Sequence, residues 1–340
     1  MRRVRLGVMA AIVLAVAAAC GSGDSDSAEE IKAVDRALLV GDSPQRIAVG
    51  GGSVWVIDDE EKSLRRISVA PVRKVGRPLA LPGTPVDVSA GLGGVFVVTK
   101  DPARVVRVDP RSGRIAGSAA LRGDPVSVDV GDREVWVATR SPNELVRVGR
   151  RTGLLRGRPV VLRSEPSFVS ARDLAVWVGS AKTRRVTRID QRTGAVRRSF
   201  RLPNGLAGMA AGDGGTLWFA QGDKYPYGHI PVEGDYVELD DPANTDGSFR
   251  IAVGPRGAVF VAGAQDSDTT SSSGSSSSTT YYFRQGLVVD PRSGDLRSEF
   301  ELSDDVRDIA AGAGAVWSIE PATGNVPPGS WRVSRHPVGG

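Results

Sequence analysis

Few residues in this chain of 340 are equipped for catalysis. It holds one cysteine, Cys20, and two histidines, His229 and His336, far apart in sequence. Zinc and copper sites draw on clustered thiolates and imidazoles, so neither metal is expected. No Asp-x-Asp-x-Asn/Asp-Gly calcium loop occurs, and Asp24-Ser25-Asp26 lies in a polar stretch where solvation accounts for it. No serine stands in a Gly-x-Ser-x-Gly elbow between a strand and a helix. The residue types thus point to no catalytic residue, no metal site and no cofactor. Two other sets are suited to binding: the charged series Arg250, Asp308, Arg46 and Asp87, and the tyrosines Tyr225, Tyr227, Tyr281 and Tyr282 with His229. What either set does depends on the elements that carry it.

Those elements repeat. Val54-Trp55-Val56, Val95-Phe96-Val97, Val135-Trp136-Val137, Val176-Trp177-Val178, Leu217-Trp218-Phe219, Val259-Phe260-Val261 and Val316-Trp317-Ser318 place their aromatics 41, 40, 41, 41, 42 and 57 residues apart. A period near 40 residues, with several short strands per repeat, marks a closed array of blades, because a lone sheet cannot bury both of its faces. In the third repeat, period-two alternation and valine enrichment predict strands at Pro125 to Val130, Glu134 to Ala138, Glu144 to Val148 and Arg158 to Leu162. Asp109-Pro110-Arg111-Ser112-Gly113 and Asp190-Gln191-Arg192-Thr193-Gly194 are turns between the third and fourth strands, their aspartates turn formers. The expected fold is all-β: a seven-bladed propeller of four-stranded antiparallel blades over residues 31–340. The last repeat lacks an outer strand, and Val34 to Gly41 form a strand with no blade of its own. That N-terminal strand is expected to complete blade 7 and close the ring, removing both open sheet edges.

The pattern Pro-x-x-Ile-Ala-Val-Gly, Val-Trp-Val, Arg-Ile-Asp-x-x-Thr-Gly resembles the YVTN and streptogramin-lyase-like family of seven-bladed β-propellers, over about residues 34 to 338. The resemblance implies the fold more than a function, since that superfamily mixes lyases, lactonases, sensors and adhesion modules. Its lyases use histidines and a glutamate from neighbouring blades around magnesium. Neither His229, in an expected loop, nor His336, in the tail, matches that pattern, so no catalytic residue carries over.

In the ring, the residue before the central apolar position of each innermost strand is Arg46, Asp87, Ser127, Phe168, Gly208, Arg250 and Asp308 for blades 1 to 7. Around blades 6, 7, 1 and 2 the charges alternate beside the channel, which suggests mutual ion pairs, or a polar ligand at the channel mouth. The loops between second and third strands are longer in blades 5, 6 and 7, at Gln221 to His229, Gln265 to Gln285 and Glu320 to Ser330, where binding residues accumulate. Tyr225, Tyr227, His229, Tyr281 and Tyr282 fall in the first two, and tyrosine is common on recognition surfaces. The Ser/Thr insertion 266–280 is expected to be disordered. Residues 133–201 hold 17 Lys/Arg against 5 Asp/Glu, and residues 202–340 hold 9 against 18, so blades 3 and 4 are basic and blades 5 to 7 acidic.

The first 19 residues carry Arg2, Arg3 and Arg5, an apolar run and Ala17-Ala18-Ala19 before Cys20. They read as an export signal that resembles that of a bacterial lipoprotein, with Cys20 lipidated and residues 20–30 a flexible tether. Export argues against nucleic acid as a partner. The sequence therefore points to an extracytoplasmic lipoprotein on the cell membrane, a recognition or scaffold module that binds an envelope protein, peptide or polymer through the loops of blades 5 to 7. The competing expectation is a divergent metal-dependent lyase or lactonase at the channel mouth, near Arg46, Asp308 and Arg250.

Overall fold

The computed structural model describes residues 38–173, 175–221, 227–235, 237–238, 250–254, 257–266, 280–290, 295–303, 306–323 and 326–337. The signal, the tether and Cys20 lie outside these residues, as do Tyr225 and residues 267–279 of the Ser/Thr insertion. The chain folds into antiparallel sheets whose strands follow one another radially outward in sequence order. The innermost strands are Pro44–Gly50, Thr84–Gly91, Asp124–Val130, Phe168–Arg172, Leu206–Ala211, Arg250–Gly254 and Asp308–Gly312. Each lies beside the innermost strand of the next sheet, and Asp308–Gly312 lies beside Pro44–Gly50, which makes a ring around an axis. One short 3₁₀ turn at Asp213–Gly215 is the only helical element among the described residues.

The expectation of seven four-stranded blades needs correction: six blades have four or more strands. Asp308–Gly312, Ala315–Pro321 and Trp331–Pro337 form only a three-stranded sheet. Of the expected N-terminal closing strand, residues 34–37 lie outside the described residues, and the rest pairs with this sheet through one bridge, Leu39 with Arg332. Flanking it, the Val40 N–H donates to the Trp331 carbonyl at 3.0 Å and the Val333 N–H to the Leu38 carbonyl at 3.2 Å. Side-chain burial reinforces the join: Leu38, Val40, Ile47 and Val56 pack with Trp317, Trp331 and Val333 in one cluster. Blade 1 is also irregular, because two short strands, Val72–Lys74 and Leu79–Ala80, share the outer side of Ser63–Val69.

The core is a series of apolar layers between blades rather than one centre. Ala48, Trp55 and Ile57 of blade 1 meet Val88, Val95 and Val97 of blade 2, and the arrangement recurs around the ring. Trp55, Trp136, Trp177, Trp218 and Trp317 are all fully buried. Each faces a fixed cross-strand partner on the third strand: Arg66, Arg147, Arg188, His229 and Arg335 respectively. The guanidinium carbons of Arg66 and Arg335 lie 5.3 and 5.9 Å from their tryptophan ring centres, a cation–π arrangement that lets a charge cover the blade's largest apolar group.

Candidate functional site: the axial cavity

A cavity of about 720 Å³ occupies the axis. It is lined by the innermost strands and their turns, from Arg46, Asp87 and Ser167 toward one end to Leu92, Asp132 and Arg172 toward the other. An innermost strand has a sheet partner on one side only, so its other edge presents unpaired N–H groups to the axis. A shift of register just before Arg46, Asp87, Ser127 and Gly208 marks a bulge in blades 1, 2, 3 and 5. Bulges re-aim the side chain that follows, here toward the axis.

These side chains satisfy the open edges in trans. The Asp308 carboxylate accepts the Ile47 N–H at 3.0 Å, Asp87 accepts the Val128 N–H at 2.8 Å, and the Ser127 hydroxyl accepts the Val169 N–H at 3.2 Å. Two residues further along the strands lies a second tier. Ser89 accepts the Val130 N–H at 3.2 Å, Asp129 the Ala171 N–H at 2.8 Å, and Ser170 the Ala211 N–H at 2.8 Å. Asp129 also takes hydrogen bonds from the Ser89 and Ser170 hydroxyls, at 2.7 and 3.1 Å. Each bond joins one blade to the next.

The alternating charges do act on one another, and backbone groups share in holding them. Asp87 and Asp308 are latched to backbone, and the Arg250 Nε donates to the Arg307 carbonyl at 2.7 Å. Arg46 lies between the two carboxylates and makes no side-chain hydrogen bond or close ion pair among the described residues. The Asp308 carboxylate raises the Arg46 pKa, burial opposes that, and Asp87 adds to it. Burial pushes Asp87 up to about 6, against the opposing pull of Arg46, the Val128 N–H and the Ser127 hydroxyl. Burial likewise raises Asp308 and Asp129.

Of the aromatic set, Tyr225 lies outside the described residues. Tyr227 and His229 lie on a strand, Tyr227–Ile230, rather than in a loop. Tyr227 is buried with Trp218, Leu287 and Val289. His229 occupies the position that arginine holds in blades 1 to 4 and in the three-stranded sheet, its ring centre 5.0 Å from that of Trp218. Burial lowers its pKa. Tyr281 and Tyr282 belong to the strand Thr280–Val289, which pairs along its length with Gly257–Asp266.

His336 is on the strand Trp331–Pro337, not in a tail, and joins a buried polar group in the three-stranded sheet. Its Nε2 lies 2.8 Å from the Ser318 hydroxyl and 2.9 Å from Glu320, which also accepts from Ser318 and, at 3.0 Å, from Ser334. Burial pushes the Glu320 carboxyl up, but the hydrogen bonds from His336, Ser318 and Ser334 prevail and hold it at about 2. A Ser-His-carboxylate set activates serine only when acid and serine contact opposite imidazole nitrogens. Here both contact Nε2, and Ser318 is fully buried, so the cluster is structural.

Sequence reasoning found the first tier of the cavity and missed Ser89, Asp129 and Ser170. The signal was available, since strand side chains alternate and these residues stand two places beyond Asp87, Ser127 and Phe168. A divalent ion, which the lyase resemblance implies, does not fit: no group of three His, Cys, Asp or Glu side chains is placed to hold one among the described residues. The cavity carboxylates, moreover, are already hydrogen-bonded to backbone and biased by burial toward protonation.

No family model matches the chain, and no curated protein matches it. Solved structures do. The chain is similar to virginiamycin B lyase from Staphylococcus aureus at 18% identity, with 83% of this chain and 93% of that one covered and a TM-score of 0.62. It is similar to a streptogramin B lyase at 16% identity, covering 88% and 96%, with a TM-score of 0.63. Hydrazine synthase of Kuenenia stuttgartiensis is similar at 12% identity, covering 86% and 96%, with a TM-score of 0.62. Proteins with such different names share this architecture, so the likeness establishes a β-propeller fold and nothing about activity.

Proposed function

We propose that this chain is a non-catalytic recognition module of the cell envelope, anchored through a lipid on Cys20, and that it binds a carboxylate-bearing ligand such as a peptide end at the Arg46 mouth of the axial cavity. The observation that carries the reading is the state of Arg46. The neighbouring carboxylates have backbone partners, whereas this guanidinium faces the cavity with none. A planar guanidinium held between fixed neighbours is preorganised for bidentate recognition of a carboxylate. The strand ends at Gln221, Tyr227, Asp266, Thr280, Pro321 and Trp331 lie at the same end of the sheets as Arg46.

The test is retention of short peptides by the purified chain, with a library carrying free C-terminal carboxylates set against the same library amidated. Free-carboxylate members should be retained by the native chain and lost with Arg46→Gln at unchanged melting temperature. Equal retention of the amidated library would sink the reading.

A further inference from the structure

The opposite face of the ring has a surface of another kind. Eight large apolar side chains are exposed among the described residues, and seven of them lie on this one face. Ile115, Leu155, Val196, Val237 and Leu296 are each the first residue of an outer strand, at the end where the chain has just turned from the third strand. Leu92, 70% exposed, and Leu154, 55% exposed, cap turns at the same end. Contacts between turns confirm that they form one surface. The Arg107 Nε donates to the carbonyls of both Gly93 and Arg150, and the Arg133 N–H donates to Gln191, so the inner turn of each blade abuts the outer turn of the next. The eighth exposed residue, Val161, lies elsewhere, at the far end of its outer strand.

Cations share these turns. Arg111, Arg151 and Arg192 occupy equivalent turn positions in blades 2, 3 and 4; all are exposed, and none has an ion-pair partner among the described residues. Of the carboxylates on this face, Asp109 and Asp190 are occupied in holding their turns, Glu134 faces Arg147, and Asp132 is exposed; Asp213, Glu233 and Asp235 on the turns of blade 5 pair with Arg172, Arg188 and Arg198. Exposed leucines on the tips of turns, interspersed with unpaired arginines, match a bilayer interface in which apolar tips enter the headgroup region and cations meet anionic lipid.

We infer that the turn face of blades 2 to 4 docks flat on an anionic membrane surface, with Leu92, Leu154 and Leu155 seated among headgroups and Arg111, Arg151 and Arg192 beside lipid phosphates. The Arg46 mouth then points away from the membrane. The inference does not depend on the lipid anchor or on the ligand of Arg46.

Cosedimentation of the full chain carrying Cys20→Ala, with vesicles of phosphatidylcholine alone or mixed with phosphatidylglycerol, tests it. Binding should require phosphatidylglycerol and weaken with salt. Replacing Leu92, Leu154 and Leu155 with serine should weaken it about tenfold or more. Replacing Arg111, Arg151 and Arg192 with serine should weaken it about a hundredfold. Val161→Ser should change nothing, and melting temperatures should show every variant folded. Equal binding to neutral vesicles, no binding to either kind, full binding by the leucine variant, or capture of an acidic protein by this face without vesicle binding would each overturn the inference.

Discussion

Asp129 shows what a single side chain does in the cavity. One carboxylate accepts the Val130 and Ala171 N–H groups and the Ser89 and Ser170 hydroxyls, tying blades 2, 3 and 4 together. Asp129→Ala would leave the Ala171 N–H without its acceptor and the Val130 N–H with Ser89 alone, at a cost of about 2 kcal/mol. Asp132→Ala, at an exposed turn, should cost almost nothing, and urea denaturation of the two variants makes the comparison. The charges at the cavity were legible in the sequence, but the share that backbone takes in holding them was not. Alternation of sign suggests ion pairs, and the geometry adds the N–H groups of strand edges, a partner no residue-type pattern announces. His229 was misread for a related reason: its cross-strand position opposite Trp218 shows only when the repeats are aligned on the third strand as well as the second.

At the scale of the element, the connections between blades are under the tightest constraint. Gly123 precedes the innermost strand of blade 3, and a Cβ there would stand 2.4 Å from the Arg140 carbonyl oxygen. Its φ is not in the left-handed region, so the demand is for space alone. Gly205, in the corresponding connection to blade 5, has open space around it. Gly123→Ala should lower stability by about 2 kcal/mol, because a backbone carbonyl must move. Gly205→Ala should be neutral or slightly stabilising, and differential scanning calorimetry distinguishes the two. The blade itself was readable because its signals are local: alternation fixes strand faces, and turn residues fix their ends. Closure joins residues nearly 300 apart in sequence, and there burial of Leu38, Val40 and Trp331 supports the backbone pairing of Leu39 with Arg332.

For the whole molecule, the account is of a disc with two unlike faces: apolar tips and arginines on one, the Arg46 mouth on the other. The sequence carried the charge asymmetry between blades but not the sorting of exposed apolar residues to one face, which depends on which end of each outer strand they occupy. The central claim is that Arg46 receives a carboxylate, and the electrostatics of its neighbours give that claim a pH dependence. Asp87, pushed up to about 6, and Asp308, raised by burial, both lose charge as pH falls. Protonation removes a competitor for Arg46 and a repulsion toward the ligand, so affinity should rise as pH falls through about 6. The most direct measurement is calorimetric titration of a retained free-carboxylate peptide above and below that pH, into the native chain and Arg46→Gln. The account predicts several-fold tighter binding on the acid side for the native chain, and loss of both the affinity and its pH dependence in the variant. Unchanged affinity in Arg46→Gln would contradict it.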